Sequence, residues 1–145
     1  MSETVLTNMV MLEENNKVLV INRKKKYQGI AFPGGKAEKG ESIYNSALRE
    51  FQEETGLLIS NLKLAGFFYW EGEDEYKYFV FCYKGTTYSG TLNGGTEEGE
   101  VFWLEKDKLK EAKLAPHMEE YLRIFEDDYS EVHCSYKDQY LPHIY

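Results

Sequence analysis

The sequence has few cysteines and no long apolar run. Its two cysteines, Cys82 and Cys134, lie far apart and lack the spacing of metal ligands. This pair disfavours a disulfide framework and favours a reducing compartment. No apolar run approaches the roughly 20 residues that span a bilayer. The first residues also lack the basic start and apolar stretch of a signal peptide, so we expect a cytoplasmic protein with no membrane partner.

Basic residues are scarce beside acidic ones. The 145 residues include 17 Lys and Arg against 25 Asp and Glu, which gives a formal net charge of −8. This balance disfavours a stable nucleic-acid partner, because binding to a phosphate backbone needs a basic surface. It leaves a small phosphorylated substrate open, since a metal ion reverses the local sign of charge. No repeat or linker interrupts the chain, so we predict a single domain over residues 1–145.

Short apolar and aromatic runs bounded by turn residues predict five strands. The runs lie at 4–12, 17–21, 62–70, 76–83 and 101–104. Pro33 with the paired Gly34 and Gly35 predicts a break in regular structure, and 86–99, with four glycines, predicts a loop. Residues 127–145 show no clear pattern.

Two helices are predicted among these strands. The first is indicated by four apolar residues at helical spacing, Ile43, Ala47, Leu48 and Phe51. Ser42 is a suitable N-cap for it, and Gly56 suits a left-handed C-terminal cap. The second helix starts near Pro116. Strands interrupted by two helices predict an α+β fold with a mixed sheet.

Three glutamates crowd the last turn of the first predicted helix. Glu50, Glu53 and Glu54 stand at i, i+3 and i+4, so they are neighbours that repel one another. The helix macrodipole also disfavours negative charge at this end. A solvated acidic face is the usual meaning of such a cluster in isolation. A bound hard cation such as Mg²⁺ would remove the conflict, and the nearby glycine loop 33–36 and basic cluster 23–26 favour metal-assisted phosphoryl chemistry.

The stretch from Gly35 to Leu57, GKAEKGESIYNSALREFQEETGL, resembles the Nudix box of the Nudix hydrolases. The pattern is Gly, five residues, Glu, seven residues, then Arg-Glu-hydrophobic-x-Glu-Glu-x-Gly-hydrophobic. The residues in register are Gly35, Glu41, Arg49, Glu50, Glu53, Glu54 and Gly56. Phe51 departs mildly from the aliphatic residue usual in its slot. Residues 31–36, AFPGGK, also resemble the MutT branch, which hydrolyses oxidised purine nucleoside triphosphates.

The resemblance implies the Nudix fold, an α/β/α sandwich with a mixed β-sheet, and a Mg²⁺ or Mn²⁺ cofactor. It implies a small nucleotide substrate, a nucleoside triphosphate cleaved to nucleoside monophosphate and pyrophosphate, with oxidised dGTP as the candidate. The same chemistry would serve ADP-ribose or a dinucleoside polyphosphate, and capped RNA fits the acidic chain less well. A non-catalytic Nudix nucleotide sensor is the alternative from another class, although such proteins often lose box carboxylates that are all present here.

The resemblance also implies roles for individual residues. The metal ligands would be Gly35, through its carbonyl, and Glu50, Glu53, Glu54 and Glu98. Either Glu53 or Glu98 would take the proton from the attacking water, and Arg49 would orient the carboxylates. Glu98 lies in a glycine-rich loop five residues before Trp103, where a solvated loop residue is the alternative. Glu41 would support the loop.

Substrate contacts are predicted on both sides of the box. Arg23 and Lys36 are candidates for the phosphates, whereas an ordinary solvated turn explains 24–26 better. His117 is the candidate for the base, although relatives commonly have Asn or Asp there, and this departure weighs against oxidised guanine. Four aromatic residues could stack on a base or simply pack in the sheet, namely Phe32, Phe68, Trp70 and Tyr78. The oligomeric state is not predicted.

Overall fold

A long first strand organises the sheet of the computed structural model, which describes residues 2–145. The strands are β1 (Glu3–Glu14), β2 (Lys17–Arg23), β3 (Gly29–Ala31), β4 (Gly34–Lys36), β5 (Leu57–Ser60), β6 (Lys63–Glu71), β7 (Tyr76–Gly85), β8 (Thr87–Gly90), β9 (Gly95–Thr96), β10 (Gly99–Glu105), β11 (Glu131–Ser135) and β12 (His143–Ile144). The α-helices are α1 (Ile43–Thr55) and α2 (Met118–Glu126), and short 3-10 helices cover Lys106–Glu111 and Tyr136–Asp138.

The main sheet is mixed and has the order β12-β11-β6-β7-β1-β2-β10-β9, with β3 on β2 and β4 on β1. Strand β1 runs parallel to β7 and antiparallel to β2 and β4. Gly35 of β4 is the register partner of Asn8 in β1, whose partner in β7 is Phe81. Strand β1 therefore lies between the glycine strand and the aromatic strands.

Helices cover both faces of this sheet. Ala47 and Phe51 of α1 pack in one buried cluster with Val10, Leu12 and Leu19. A second buried cluster on the other face brings Met118, Ile124 and Phe125 of α2 against residues of β6, β7 and β11. This layering confirms the predicted α+β class and the α/β/α sandwich. No helix within residues 2–145 has the length and apolar character to cross a membrane.

The first helix has the caps that its sequence predicts. The Ser42 hydroxyl accepts a hydrogen bond from the Asn45 backbone N–H at 2.9 Å. Gly56 adopts a left-handed φ of 84°, and its N–H donates to the Gln52 carbonyl at 2.8 Å. Of the predicted apolar stripe, Ala47 and Phe51 are fully buried, whereas the other two residues are only half-buried. The caps fix where the helix that carries the carboxylates begins and ends.

Replacing Ser42 with alanine is expected to lower the free energy of unfolding by about 1 kcal/mol, because a first-turn N–H loses its acceptor. Denaturant unfolding of Ser42→Ala against wild type measures the loss. Ser60→Ala, at an exposed serine ending β5, is the matched control. Equal stabilities of the two variants would contradict the capping role.

Several predicted loops contain short strands. The region around Pro33 holds β3 and β4, residues 86–99 hold β8 and β9, and the unassigned tail holds β11 and β12. Strand β5 was not predicted either. These segments are strands because neighbours pair with them, and such tertiary pairing overrides weak local preference. Helix α2 begins at Met118, two residues after Pro116 and so near the predicted start, because His117 adopts a left-handed φ of 68°.

Candidate active site

A cavity of about 790 Å³ lies where β1, β4, α1 and the start of α2 meet. Two groups of side chains line it. The charged group comprises Arg23, Lys36, Glu50, Glu53, Glu54 and Glu98, and Gly34 and Gly35 lie beside it. The aromatic group includes Phe32, Phe68, Trp70, Tyr78, Tyr121 and His117. The fold thus brings the predicted metal ligands, phosphate contacts and His117 to one cavity, whereas Arg49 and Glu41 do not line it.

Glu54 lies at the centre of the negative charge. Burial, with smaller contributions from the charges of Glu50 and Glu98, raises the pKa of its carboxyl from 4.5 to about 8. The charge of Arg23 and a hydrogen bond from the Gly34 backbone N–H act in the opposite direction. Burial also raises the pKa of Glu50. The charges of Glu50 and Glu98 therefore act on the ionisation of Glu54, as expected for ligands of a shared cation.

Arg49 ties the glutamates of the box together. Its Nε and Nη2 atoms donate to the two oxygens of Glu41 at 2.8 and 3.0 Å. Its Nη1 donates to Glu50 at 2.9 Å and to Glu53 at 3.2 Å. Chiefly because of Arg49, the pKa of Glu41 falls to about 2. Glu41 does not line the cavity, so it supports Arg49 from behind, in agreement with its predicted place in the loop.

Gly35 leaves room for Glu50. A Cβ atom on Gly35 would lie 2.3 Å from the Cδ atom of the Glu50 carboxyl group. The backbone of this strand is held from the other side by Asn8, whose Nδ2 donates to the Gly35 carbonyl at 3.0 Å. Only glycine at this position lets the strand and the Glu50 carboxylate approach so closely.

Asn8 is a site residue that sequence reasoning missed. Its Nδ2 also donates to the hydroxyl of Ser46 in α1 at 2.9 Å, so one amide joins the glycine strand to the carboxylate helix. The side-chain oxygen of Asn8 is buried and has no partner among residues 2–145. An amide in the middle of the apolar run VLTNMVML was the signal, because a buried amide in a strand needs partners.

The donor set suits a hard divalent cation. The carboxylates and the Gly35 carbonyl offer only oxygen atoms, the ligands that Mg²⁺ and Mn²⁺ prefer. Within residues 2–145 no three acidic, histidine or cysteine side chains stand grouped as metal ligands. Arg49 holds Glu50 and Glu53, so a cation would draw these carboxylates from it.

The basic segment after β2 lies beside the loop that carries Glu98. The Lys24 N–H donates to the Glu98 carbonyl at 3.1 Å, and Lys25 pairs with Glu97 at 3.8 Å. Arg23 donates to the Lys26 carbonyl at 3.1 Å while it lines the cavity. Arg23 and Lys36 thus present positive charge next to the carboxylates, whereas 24–26 are exposed.

Four members of the aromatic group contact one another and form a continuous wall, namely Phe68, Trp70, Tyr121 and His117. The rings of Phe68 and Tyr121 lie 4.7 Å apart, and the ring of His117 meets Phe68 and Trp70 edge-on at 5.9 and 5.4 Å. The His117 Nδ1 atom lies 3.1 Å from a Glu120 carboxylate oxygen. This hydrogen bond leaves the other ring nitrogen of His117 available to a ligand.

We expect the stability of the cation-free protein to fall as the pH rises from about 4.5 to about 8. The folded state holds a proton on Glu54 over this range, and the unfolded chain does not, so raising the pH favours unfolding. Mg²⁺ binds the ionised form, so the rise in Tm that it causes should grow with pH. Thermal melts at several pH values measure both trends.

Glu54→Gln should flatten most of this pH dependence, leaving a smaller part from Glu50. Glu126→Gln, at an exposed glutamate ending α2, serves as the control and should keep the wild-type trend. A wild-type Tm that climbs steadily with pH in chelator would contradict the raised pKa of Glu54.

Comparison with known proteins identifies the family to which this fold and its carboxylate cavity belong. The family model for the NUDIX domain matches residues 4–125. The chain therefore belongs to the Nudix hydrolase family, whose members generally depend on divalent cations.

Known relatives point to the MutT-like part of this family. An uncharacterised Nudix hydrolase of Bacillus subtilis, YvcI, is 33% identical over 115 residues, 77% of this chain and 72% of that protein. An 8-oxo-dGTP diphosphatase of Haemophilus influenzae is 33% identical over 61% of this chain and 64% of its own length. An ADP-ribose pyrophosphatase of Methanocaldococcus jannaschii is 41% identical over 39% of this chain and 34% of its own.

A solved structure has the same fold over nearly the whole chain. The MutT protein of Bacillus halodurans superposes with a TM-score of 0.78 and covers 97% of both chains, at 24% identity. This likeness is one of fold, and it extends beyond the stretch that the family model matches.

Proposed function

We propose that this protein is a Mg²⁺-dependent pyrophosphohydrolase that cleaves a nucleoside triphosphate to a nucleoside monophosphate and pyrophosphate. The observation that carries the proposal is a single cavity lined by a charged group and by an aromatic group of side chains. Glutamates with Arg23 and Lys36 suit a polyphosphate that arrives with a cation. The aromatic group suits a flat heterocycle, because base stacking on aromatic rings is favourable.

The residues divide into metal ligands, residues that bind the phosphates and a general base. Glu50, Glu53, Glu54, Glu98 and the Gly35 carbonyl would hold the cation. Once bound, it would neutralise phosphate charge and lower the pKa of an attacking water. Arg23 and Lys36 would bind phosphate oxygens, with Arg23 as the bidentate partner. Glu53 or Glu98 would accept the proton of the water, because both carboxylates line the cavity.

Arg49 acts on this group from outside the substrate space. Its hydrogen bonds to Glu50 and Glu53 fix the orientation of both carboxylates. Its pairing with Glu41 in turn fixes the guanidinium plane. Arg49 is therefore a positioning residue in this proposal.

Oxidised dGTP is the candidate substrate within this class. The Haemophilus influenzae relative is an 8-oxo-dGTP diphosphatase, which supports the candidate. His117 occupies the rim of the aromatic group and would contact the base through its free ring nitrogen. A neutral imidazole nitrogen accepts one hydrogen bond, whereas an amide both donates and accepts. His117 therefore forms fewer kinds of hydrogen bond with the edge of a base than an amide side chain would.

ADP-ribose is the second candidate, and the Methanocaldococcus jannaschii relative supports it. A dinucleoside polyphosphate would use the same carboxylates. A non-catalytic nucleotide sensor is the candidate from another class, and the complete set of box glutamates weighs against it.

The test is release of pyrophosphate and phosphate with Mg²⁺ from a panel of substrates. The panel holds the four dNTPs, 8-oxo-dGTP, ADP-ribose and a diadenosine polyphosphate. Selective pyrophosphate release from 8-oxo-dGTP would support the full proposal. Turnover of ADP-ribose or the dinucleotide alone would keep the chemistry and change the substrate. Tight nucleotide binding without any turnover would leave the sensor.

A further inference from the structure

The tail after α2 packs against the aromatic wall on the side away from the cavity. The family model ends at residue 125, and no role is yet assigned to the residues that follow. Strand β11 runs parallel to β6, with Cys134 as the register partner of Trp70. The tail then folds back and places the ring of Tyr140 on that of Trp70. The two ring centroids lie 4.6 Å apart and the ring planes are 7° from parallel.

The turn that carries Tyr140 is held in an uncommon backbone shape. Gln139 and Tyr140 both have a φ of 62°, a region that residues with a Cβ atom seldom adopt. The Tyr140 N–H donates to the Ser135 carbonyl at 2.8 Å. The Ser135 hydroxyl donates to Glu71, the residue after Trp70, at 3.1 Å. Two bonds thus fix the turn to the end of β6, where such a shape persists only when its surroundings enforce it.

Trp70 is where the tail meets the cavity. Trp70 lines the cavity, and Tyr140 packs against the same buried cluster from the side of the tail. The ring of Trp70 also contacts that of His117, the residue that ends the loop before α2. Tyr140 therefore sets the position of a ring that faces the ligand without lining the cavity itself.

We propose that Tyr140 is a positioning residue that holds Trp70 for stacking on the nucleobase. This inference rests on the proposed function insofar as the ligand of the cavity is a nucleotide. Tyr140 affects binding of the nucleobase through Trp70. Binding of the polyphosphate does not depend on Tyr140. Removing Tyr140 lets Trp70 turn away and weakens only base-dependent binding.

The test measures binding without turnover. Because the chain has two tryptophans, a Trp103→Phe background makes the fluorescence report on Trp70. The probes are the α,β-methylene analogue of dGTP and inorganic tripolyphosphate, each with Mg²⁺. We expect the analogue to quench Trp70, and Tyr140→Ala to weaken its Kd by about 3- to 10-fold. The Kd of tripolyphosphate should stay unchanged.

Three further variants separate positioning from folding. Tyr140→Phe keeps the ring and should restore the Kd of the analogue. Tyr140→Leu fills the space without a ring and should resemble Tyr140→Ala, which keeps the test available where the alanine variant fails to fold. Tyr136→Ala, at an exposed tyrosine of the same turn, is the matched control and should bind like wild type.

Two results would overturn the inference. One is an analogue that binds without changing Trp70 fluorescence, and the other is an equal loss of affinity for the analogue and tripolyphosphate in Tyr140→Ala. Failure of the proposed function looks different, because the analogue would bind and quench as described while no nucleotide is hydrolysed. In active protein, Tyr140→Ala should raise KM by the same factor as Kd with kcat unchanged.

Discussion

Glu53→Gln is expected to lower kcat by about 10²–10⁴-fold, the usual loss when a positioned general base is removed. The Glu53 side chain is 58% exposed and lines the cavity, so its carboxylate can reach a water molecule there. Glutamine keeps the size but cannot accept the proton. Because the side chain is exposed, the free energy of unfolding should change by less than about 0.5 kcal/mol. Initial rates of pyrophosphate release measure kcat, and denaturant unfolding checks the stability.

Glu98→Gln and Glu97→Gln complete this experiment. Glu98 lines the same cavity, so a loss confined to Glu98→Gln would assign the proton to Glu98 instead. Glu97 is adjacent in sequence, 83% exposed and paired with Lys25, and its substitution should leave kcat within about twofold of wild type. Full activity in both Glu53→Gln and Glu98→Gln would contradict the assignment of the base.

Gly35→Ala is expected to lower kcat/KM by about 10–100-fold and to raise the Mg²⁺ concentration needed for activity, as when a ligand's support is lost. The added Cβ would lie 2.4 Å from the Oε2 atom of Glu50. The Glu50 side chain is flexible, so it moves aside and the fold survives. Mg²⁺ titration of the initial rate and of Tm measures the effect on cation binding.

Gly34→Ala is the matched comparison one residue earlier. Its Cβ would lie 2.0 Å from the backbone oxygen of Asn8 and 3.0 Å from the Met9 Cα. Backbone in a central strand cannot rotate away, so we expect a loss of stability of about 1–3 kcal/mol or more. A Gly34→Ala protein as stable as Gly35→Ala would refute this contrast between backbone and side-chain crowding.

Local signals account for what the sequence predicts well. The caps of α1 lie within four residues of the helix ends, and Glu50, Glu53 and Glu54 lie within two turns of α1, so spacing along the chain suffices. Strands β1, β2, β6, β7 and β10 are long enough for their apolar pattern to be recognised. The grouping of Glu50, Glu53 and Glu54 follows from these elements, whereas Glu98, five residues before Trp103, was added through the resemblance to MutT-like proteins.

Other features depend on partners that are distant in the chain. Asn8 meets Gly35 and Ser46, which are 27 and 38 residues away. Strands β3 and β4 have three residues each and exist because β2 and β1 offer hydrogen bonds. Tyr140 meets Trp70 only because β11 aligns with β6. Local propensity carries no information about contacts between residues that are distant in the chain. A single sequence can therefore indicate that Asn8 is unusual in its strand but not which residues it contacts.

Arg49 competes with a cation for the carboxylates of Glu50 and Glu53. Its guanidinium is tethered to the same helix as Glu50 and Glu53, so it faces them at a high effective concentration. In the proposed function, a cation from solution would have to displace this guanidinium, which would lower the apparent affinity of the site for free Mg²⁺. A cation that arrives already chelated by a polyphosphate brings ligands of its own and competes better. The occupancy of the proposed site would thereby follow the concentration of the metal–nucleotide complex rather than that of the free metal.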